Sequence, residues 1–217
     1  MILVKRSPAF FAALTSAMMS WVLSFSIAIP LLFRPFYYAH ISILRLPAQT
    51  GWTAAQIHEA YDHVMDYCLL GAPFQTGDLH WSENGIQHFA DCAVLFRLDL
   101  IVLGITTLIL FICFFLYRRH LRPARPLGFG PAFWSGCILS LSFIVVTILA
   151  ALNFDKAFIL FHALFFAGKN NWLFDPTTDQ IILILPQIFF RNCAILIVAV
   201  LFLCCGILML SDRRRFS

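Results

Sequence analysis

The sequence predicts an all-α membrane protein: four transmembrane helices carrying a small extracytoplasmic cap. Three observations carry this reading. Apolar residues make up 61% of the 217 positions and charged residues 12%, about half the charged share of an ordinary soluble domain. Four apolar runs are each long enough, at ~1.5 Å per residue, to cross a hydrocarbon core of about 30 Å. The basic residues collect in alternate connections between those runs.

The first span covers about 10–33. Lys5 and Arg6 precede it as they would a signal peptide. Its apolar stretch exceeds the ~7–15 residues of such a segment, and SFSIAIPLLFRPFYY offers no small-x-small cleavage site with a polar start behind it, so it reads as a retained helix. Residues 34–97 are too long for a hairpin and form the cap. Within them TAAQIHEAYDHVMDYCLLG sets Ile57, Ala60, Tyr61, Val64 and Tyr67 or Cys68 at helical spacing, with Thr53 as N-cap and Gly71 followed by Pro73 as the stop. Its apolar face suits the membrane surface, the helix tops or a lipid substrate. The second span covers about 98–117, a basic loop 118–131, the third span 132–152, a second outer segment 153–185 and the fourth span 186–210.

Orientation follows from charge. Lys5 and Arg6, then Arg118, Arg119, Arg122 and Arg125, then Arg213, Arg214 and Arg215 flank one side of a four-pass chain, which makes both termini cytoplasmic. Acidic residues concentrate in the two outer connections. The net charge of +4 thus reflects topology rather than nucleic-acid binding. The loop RRHLRPARPLGFG has no catalytic grouping and reads as a topogenic connector beside anionic lipid. Five of the seven cysteines, Cys113, Cys137, Cys193, Cys204 and Cys205, fall in predicted helices as small apolar residues. Cys68 and Cys92 lie outside them, where either a disulfide or two free thiols fits the sequence.

Function therefore belongs to the outer segments. His58 and His63 sit beside Glu59, Asp62 and Asp66 without i, i+4 repetition and read as a solvated face; His40 and His80 are weak candidates. In WSENGIQHFADCAVLF, Ser82 can cap a helix with Glu83 in its first turn, and Asn84, His88 and Asp91 then share one face. A carboxylate or amide at that spacing fixes an imidazole tautomer. His162 lies among Phe158, Phe161, Phe165 and Phe166, followed by the turn-rich GKNNWLFDPTTDQ, in which Thr177 or Thr178 can cap a segment leading to Pro186. His88 before the second span and His162 after the third can meet at one interfacial site.

GIQHFADC, FHALFF, NNWLFDPTTDQII and LPQIFF, in this order around four spans, resemble the bacterial lipoprotein intramolecular transacylase family, Lit. The likeness extends over the architecture of the whole chain, with its motifs in residues 81–97 and 158–190. Family members often read His-x-x-Asp-Val where this chain has Asp91 followed by Cys92. The resemblance implies two catalytic histidines between cap and membrane, His88 and His162, in the bacterial cytoplasmic membrane on its extracytoplasmic side. It implies a diacylglyceryl-modified lipoprotein substrate embedded in membrane lipid, no cofactor and no metal. The sn-2 acyl chain moves to the α-amine of the N-terminal cysteine, giving a lyso-form N-acylated lipoprotein. Asp91 is then a candidate to orient His88; Asn171 and Trp172 are candidates for oxyanion stabilisation, and the four phenylalanines for the substrate pocket.

Two other classes compete. A metal-dependent hydrolase would use His88, His162 and one of Asp91, Asp175 or Asp179, although no His-Glu-x-x-His signature is present. A structural or transport subunit would need no histidine pair, and transport calls for ionisable groups within spans that hold few.

Overall fold

The computed structural model of the chain describes residues 6–213, without the Arg213 side chain. Lys5, Arg214 and Arg215, invoked for orientation, lie outside the described residues. A two-residue strand β1 (Arg6–Ser7) leads into α1 (Pro8–Leu32), followed by α2 (Pro35–Ile43), α3 (Leu46–Thr50), α4 (Ala54–Leu70) and α5 (Glu83–Arg118). Strand β2 (Arg122–Pro123) pairs in parallel with β1. Then come α6 (Pro131–Leu152), α7 (Phe154–Phe165), α8 (Ile181–Ile184) and α9 (Gln187–Arg213). Helices α1, α5, α6 and α9 are long and apolar enough to cross a membrane. The second span and the helix begun at Ser82 are one uninterrupted element of 36 residues, well beyond the ~20 a bilayer requires.

The chain forms two compact units. One holds Asp99–Leu149 with the chain up to Ile27 and from Leu196; the other holds Ala28–Leu98 and Ala150–Ile195. In the first unit small and hydroxylated residues set the helix contacts. Ser135 Oγ donates to the carbonyls of Pro131 and Thr15 at 2.7 and 3.2 Å, and a Cβ on Gly136 would stand 2.7 Å from the Cys205 carbonyl oxygen. Only a glycine lets α6 approach α9 so closely, the usual basis of helix association in lipid.

The second unit has its own apolar core. Thr53 and Gln56 form a capping box at the start of α4, and Gly71, at φ 78°, ends it in the left-handed region. The buried face is Ile57, Ala60, Tyr61, Val64, Met65 and Cys68; Cys68, rather than Tyr67, completes it. Of the three seats considered for this face, the helix tops are the one used: it packs inside the protein against Phe89 and Ala93 at the start of α5 and Phe189 at the start of α9, together with Tyr37, Ile41, Leu46, Ile181 and Ile184. Tyr37 stacks on Tyr61 with centroids 3.7 Å apart and donates its hydroxyl to the Ile184 carbonyl. Arg34 holds α2 to α4 through Asp62 at 3.0 Å and through Asp66. Arg97 of α5 donates to the carbonyls of Tyr67 and Cys68, satisfying orphan acceptors at the α4 C-terminus.

Candidate active site

His88 is placed by the first turns of α5. Ser82 accepts from the Gly85 amide at 3.1 Å, as an N-cap does. A residue 97 positions away locks the cap: Asp179, buried, accepts from the Ser82 amide and from its hydroxyl, both at 2.9 Å to Oδ1. Its charge lies at the positive end of the helix dipole. Two further hydrogen bonds join His80 and Gln180, one in each direction. Gly85 makes this approach possible, since a Cβ there would collide with Asp179 Oδ1. Asp179 is thus the partner of the α5 cap, and Thr178 donates to it. The expectation that Thr177 or Thr178 caps α8 does not hold, because α8 has no side-chain cap.

His162 is placed by α7, a helix within the second outer segment. Asn153 caps it by accepting from the Lys156 amide at 2.9 Å. His162 Nδ1 lies 2.8 Å from the Phe158 carbonyl oxygen one turn earlier. A carbonyl only accepts, so Nδ1 bears the hydrogen and Nε2 keeps its lone pair. One face of α7 carries His162 inward, while Leu160 and Leu164 are 68% and 70% exposed, as in a helix lying along a lipid interface.

Both outer segments bring their histidines together. The two rings lie 5.9 Å apart between centroids, near parallel at 28°, and their side chains are 6% and 7% exposed. Phe166 stands 4.8 Å from His88 and 5.5 Å from His162. Phe158 lies 4.2 Å and Phe161 5.5 Å from His162. Phe165 packs on Phe161 at 4.7 Å, one ring removed from His162, and is half exposed. Burial pushes the His162 imidazole below its ordinary value, opposed by its bond to Phe158. It is therefore neutral at pH 7 and able to accept a proton.

The supporting roles differ from those expected at three positions. Asp91 does not orient His88. Its oxygens accept instead from Lys169 Nζ at 2.6 Å and Asn171 Nδ2 at 3.0 Å, so it moors the loop after α7 to α5. Trp172 donates its indole N–H to the Lys169 carbonyl and packs 4.7 Å from His162; that N–H is committed, which removes it as an oxyanion donor. Asn171 likewise spends a donor on Asp91, and its Oδ1 is buried without a partner among the described residues. Around His88 the sequence reading missed Phe174, at 5.3 Å, and Cys92, whose Sγ lies 3.5 Å from His88 Nε2. Cys92 was legible as the i+4 neighbour, whereas nothing local announces Phe174. His88 Nδ1 is buried with no hydrogen-bond partner among the described residues. His40 is a structural histidine, bonded to Phe36 and Asn192.

Among the described residues no three His, Cys, Asp or Glu side chains are grouped to hold a metal ion. Asp175 is turned to the Thr177 amide in its own turn.

Alanine at Asp91 releases Lys169 and Asn171 together. Limited proteolysis should cut residues 166–180 faster, while the unfolding midpoint moves little, because half-exposed ion pairs contribute at most about 1 kcal/mol. Unchanged cleavage would refute the mooring.

A sequence model of the lipoprotein intramolecular transacylase family, Lit, matches residues 12–190. Among solved structures, the membrane-integral lipoprotein intramolecular transacylase Lit of Bacillus cereus superposes with TM-score 0.83 at 23% identity, over 96% of this chain and 97% of that one. Its variants with one histidine replaced by arginine or by alanine give 0.75 and 0.76, at 22% and 24% identity, each over 96% of this chain and over 94% and 95% of theirs. At such identity these likenesses show the fold. No curated protein matches the chain.

Proposed function

We infer that this chain, which belongs to the lipoprotein intramolecular transacylase family Lit, performs its acyl transfer at the pair His88 and His162. It is a membrane acyltransferase acting on lipoprotein. The substrate is a diacylglyceryl-modified N-terminal cysteine with a free amine, held in the bacterial cytoplasmic membrane. Both termini are cytoplasmic and the histidine site is extracytoplasmic, as the basic flanks favour. One observation carries the assignment: two shielded imidazoles 5.9 Å apart, inside one aromatic wall.

Attack of the amine on the sn-2 ester carbonyl closes a ring through N, Cα, Cβ, S, two glyceryl carbons, the ester oxygen and the carbonyl carbon, eight atoms. Such medium rings close slowly in a flexible molecule, so confinement of amine and carbonyl contributes directly to rate. Phe158, Phe161 and Phe166 supply that confinement. They also exclude water, which would otherwise take the acyl group by hydrolysis.

The tautomers divide the proton work. His162 Nε2, with its lone pair free, removes the proton from the attacking amine. His88 Nδ1–H, an unpartnered polar group of the site, hydrogen-bonds the departing sn-2 oxygen once the Cys92 thiol occupies Nε2, and the His162 imidazolium returns the proton it took from the amine to that oxygen, leaving both imidazoles neutral. The ester C–O bond breaks, the amide N–C bond forms, and one proton passes from nitrogen to oxygen. No redox partner enters.

The pH profile follows. The base form of His162 is present above its lowered pKa and is lost as pH falls through it. The substrate amine, ordinarily near 8, attacks only when unprotonated. Log rate against pH should rise with a slope of about one between these ionisations and about two in acid, with the lower break below ~6.5. A lower break at or above 6.5 would contradict the buried base.

Tandem mass spectrometry of a lipoprotein N-terminal peptide tests the whole reading, in a host that makes free-amine diacylglyceryl lipoproteins. Intact mass is unchanged by intramolecular transfer, so the fragments decide. An acyl group on the N-terminal nitrogen is expected with this protein and not with the His88→Ala, His162→Ala variant. An unaltered fragment pattern with confirmed membrane insertion would refute it.

A further inference from the structure

The unit that lacks the His88–His162 pair holds a half-open cavity of about 630 Å³, within the size range of ligand sites. Its walls are of two kinds. Leu14, Met18, Leu110 and Phe114, from α1 and α5, make an apolar side. Arg6 and Arg122 stand at the polar end.

These two arginines are Cα partners in the parallel pair β1–β2, with strands about 4.8 Å apart. Like charges in register on neighbouring strands repel, and among the described residues neither guanidinium has an ion-pair partner. Arg122 lies over the Tyr117 ring at 4.1 Å, which fixes its direction without cancelling its charge. The acid in the wall, Asp212, is already committed. It is buried, pairs with Arg125 at 3.2 Å and accepts from the Gly130 amide at 2.6 Å. The cavity thus joins two uncompensated fork-shaped donors to an apolar trough.

We propose that this cavity binds an anionic glycerophospholipid, the phosphate bridging Arg6 and Arg122 and an acyl chain lying along Leu14, Met18, Leu110 and Phe114. Arginine forks suit phosphate oxygens. A soluble phosphate would match the charges and leave the apolar side unused; a zwitterionic lipid would match the trough but bring its own cation beside two arginines, adding to the positive charge that an anionic lipid reduces. The site is separate from the histidine pair and does not depend on the transacylase reading.

Native mass spectrometry of the detergent-purified full chain tests this, titrating phosphatidylglycerol, phosphatidylcholine and glycerol 3-phosphate in turn. Phosphatidylglycerol should bind, and the Arg6→Gln, Arg122→Gln variant should hold it about 25-fold more weakly, at roughly fivefold per arginine. Equal retention by the variant, equal binding of phosphatidylcholine, or glycerol 3-phosphate binding as tightly as the lipid would each overturn the proposal. Ala132→Phe, which fills the cavity from α6 with both arginines intact, gives an independent reading. It should lose the lipid, and wild-type retention would overturn the proposal even if the double variant failed to fold.

Discussion

Alanine at His162 lowers the rate of O-to-N acyl transfer by about 10² to 10⁴, the usual yield of a positioned acid or base, and leaves the protein in the membrane. The expectation rests on geometry. His162 Nδ1 is tied to the Phe158 carbonyl, so only Nε2 faces a reactive role, and Trp172 and Phe158 pack within 4.7 Å of the ring to hold it there. His88→Ala should cost a comparable factor. The double variant should be little worse than either single one, because groups that act in one step are not additive. Quantifying N-acylated peptide per unit of folded enzyme checks all three. Near wild-type rates in a double variant that keeps its thermal transition would remove the histidines from the mechanism.

Asp179→Ala should be the most damaging single change to the fold of the outer unit. It deletes the acceptor for the Ser82 amide and hydroxyl and frees the start of the helix that carries His88. Charge-assisted hydrogen bonds lost at a buried cap cost about 2–4 kcal/mol, which in a chain of this size corresponds to about 5–15 °C in Tm. Thermal unfolding in detergent measures this. Asp179→Asn keeps acceptor oxygen and should recover part of the loss. Gly85→Ala should act in the same direction, since its Cβ displaces the carboxylate. An unshifted Tm in Asp179→Ala would mean that the cap is held by something else.

Four apolar helices and their all-α class were legible because span length and charge asymmetry are local properties of a sequence. The α4 cap was legible for the same reason: Thr53, Gln56 and Gly71 announce both ends of a helix within a few residues. His88 and His162 emerged as a pair from the motifs around them. What stayed hidden was long-range. Asp91 lies one turn from His88 in sequence, yet its oxygens go to Lys169 and Asn171, 78 and 80 residues away. Helical spacing gives which residues share a face, not which of several nearby donors wins the carboxylate. Asp179 likewise had no signal as the partner of Ser82. The Trp172 indole offered an N–H to any acceptor, and only the fold shows that the Lys169 carbonyl takes it.

All seven cysteines are unpaired. The two outside the predicted spans have other commitments: Cys68, fully buried, points its sulfur to the Phe89 carbonyl, and Cys92 faces His88. Burial pushes the Cys68 thiol up to about 12, keeping it in the unreactive thiol form. Small secreted domains are commonly stapled by disulfides; in the outer unit apolar packing and ion pairs do that task. The described fold therefore needs no thiol oxidation, and a reductant should leave its thermal transition unshifted.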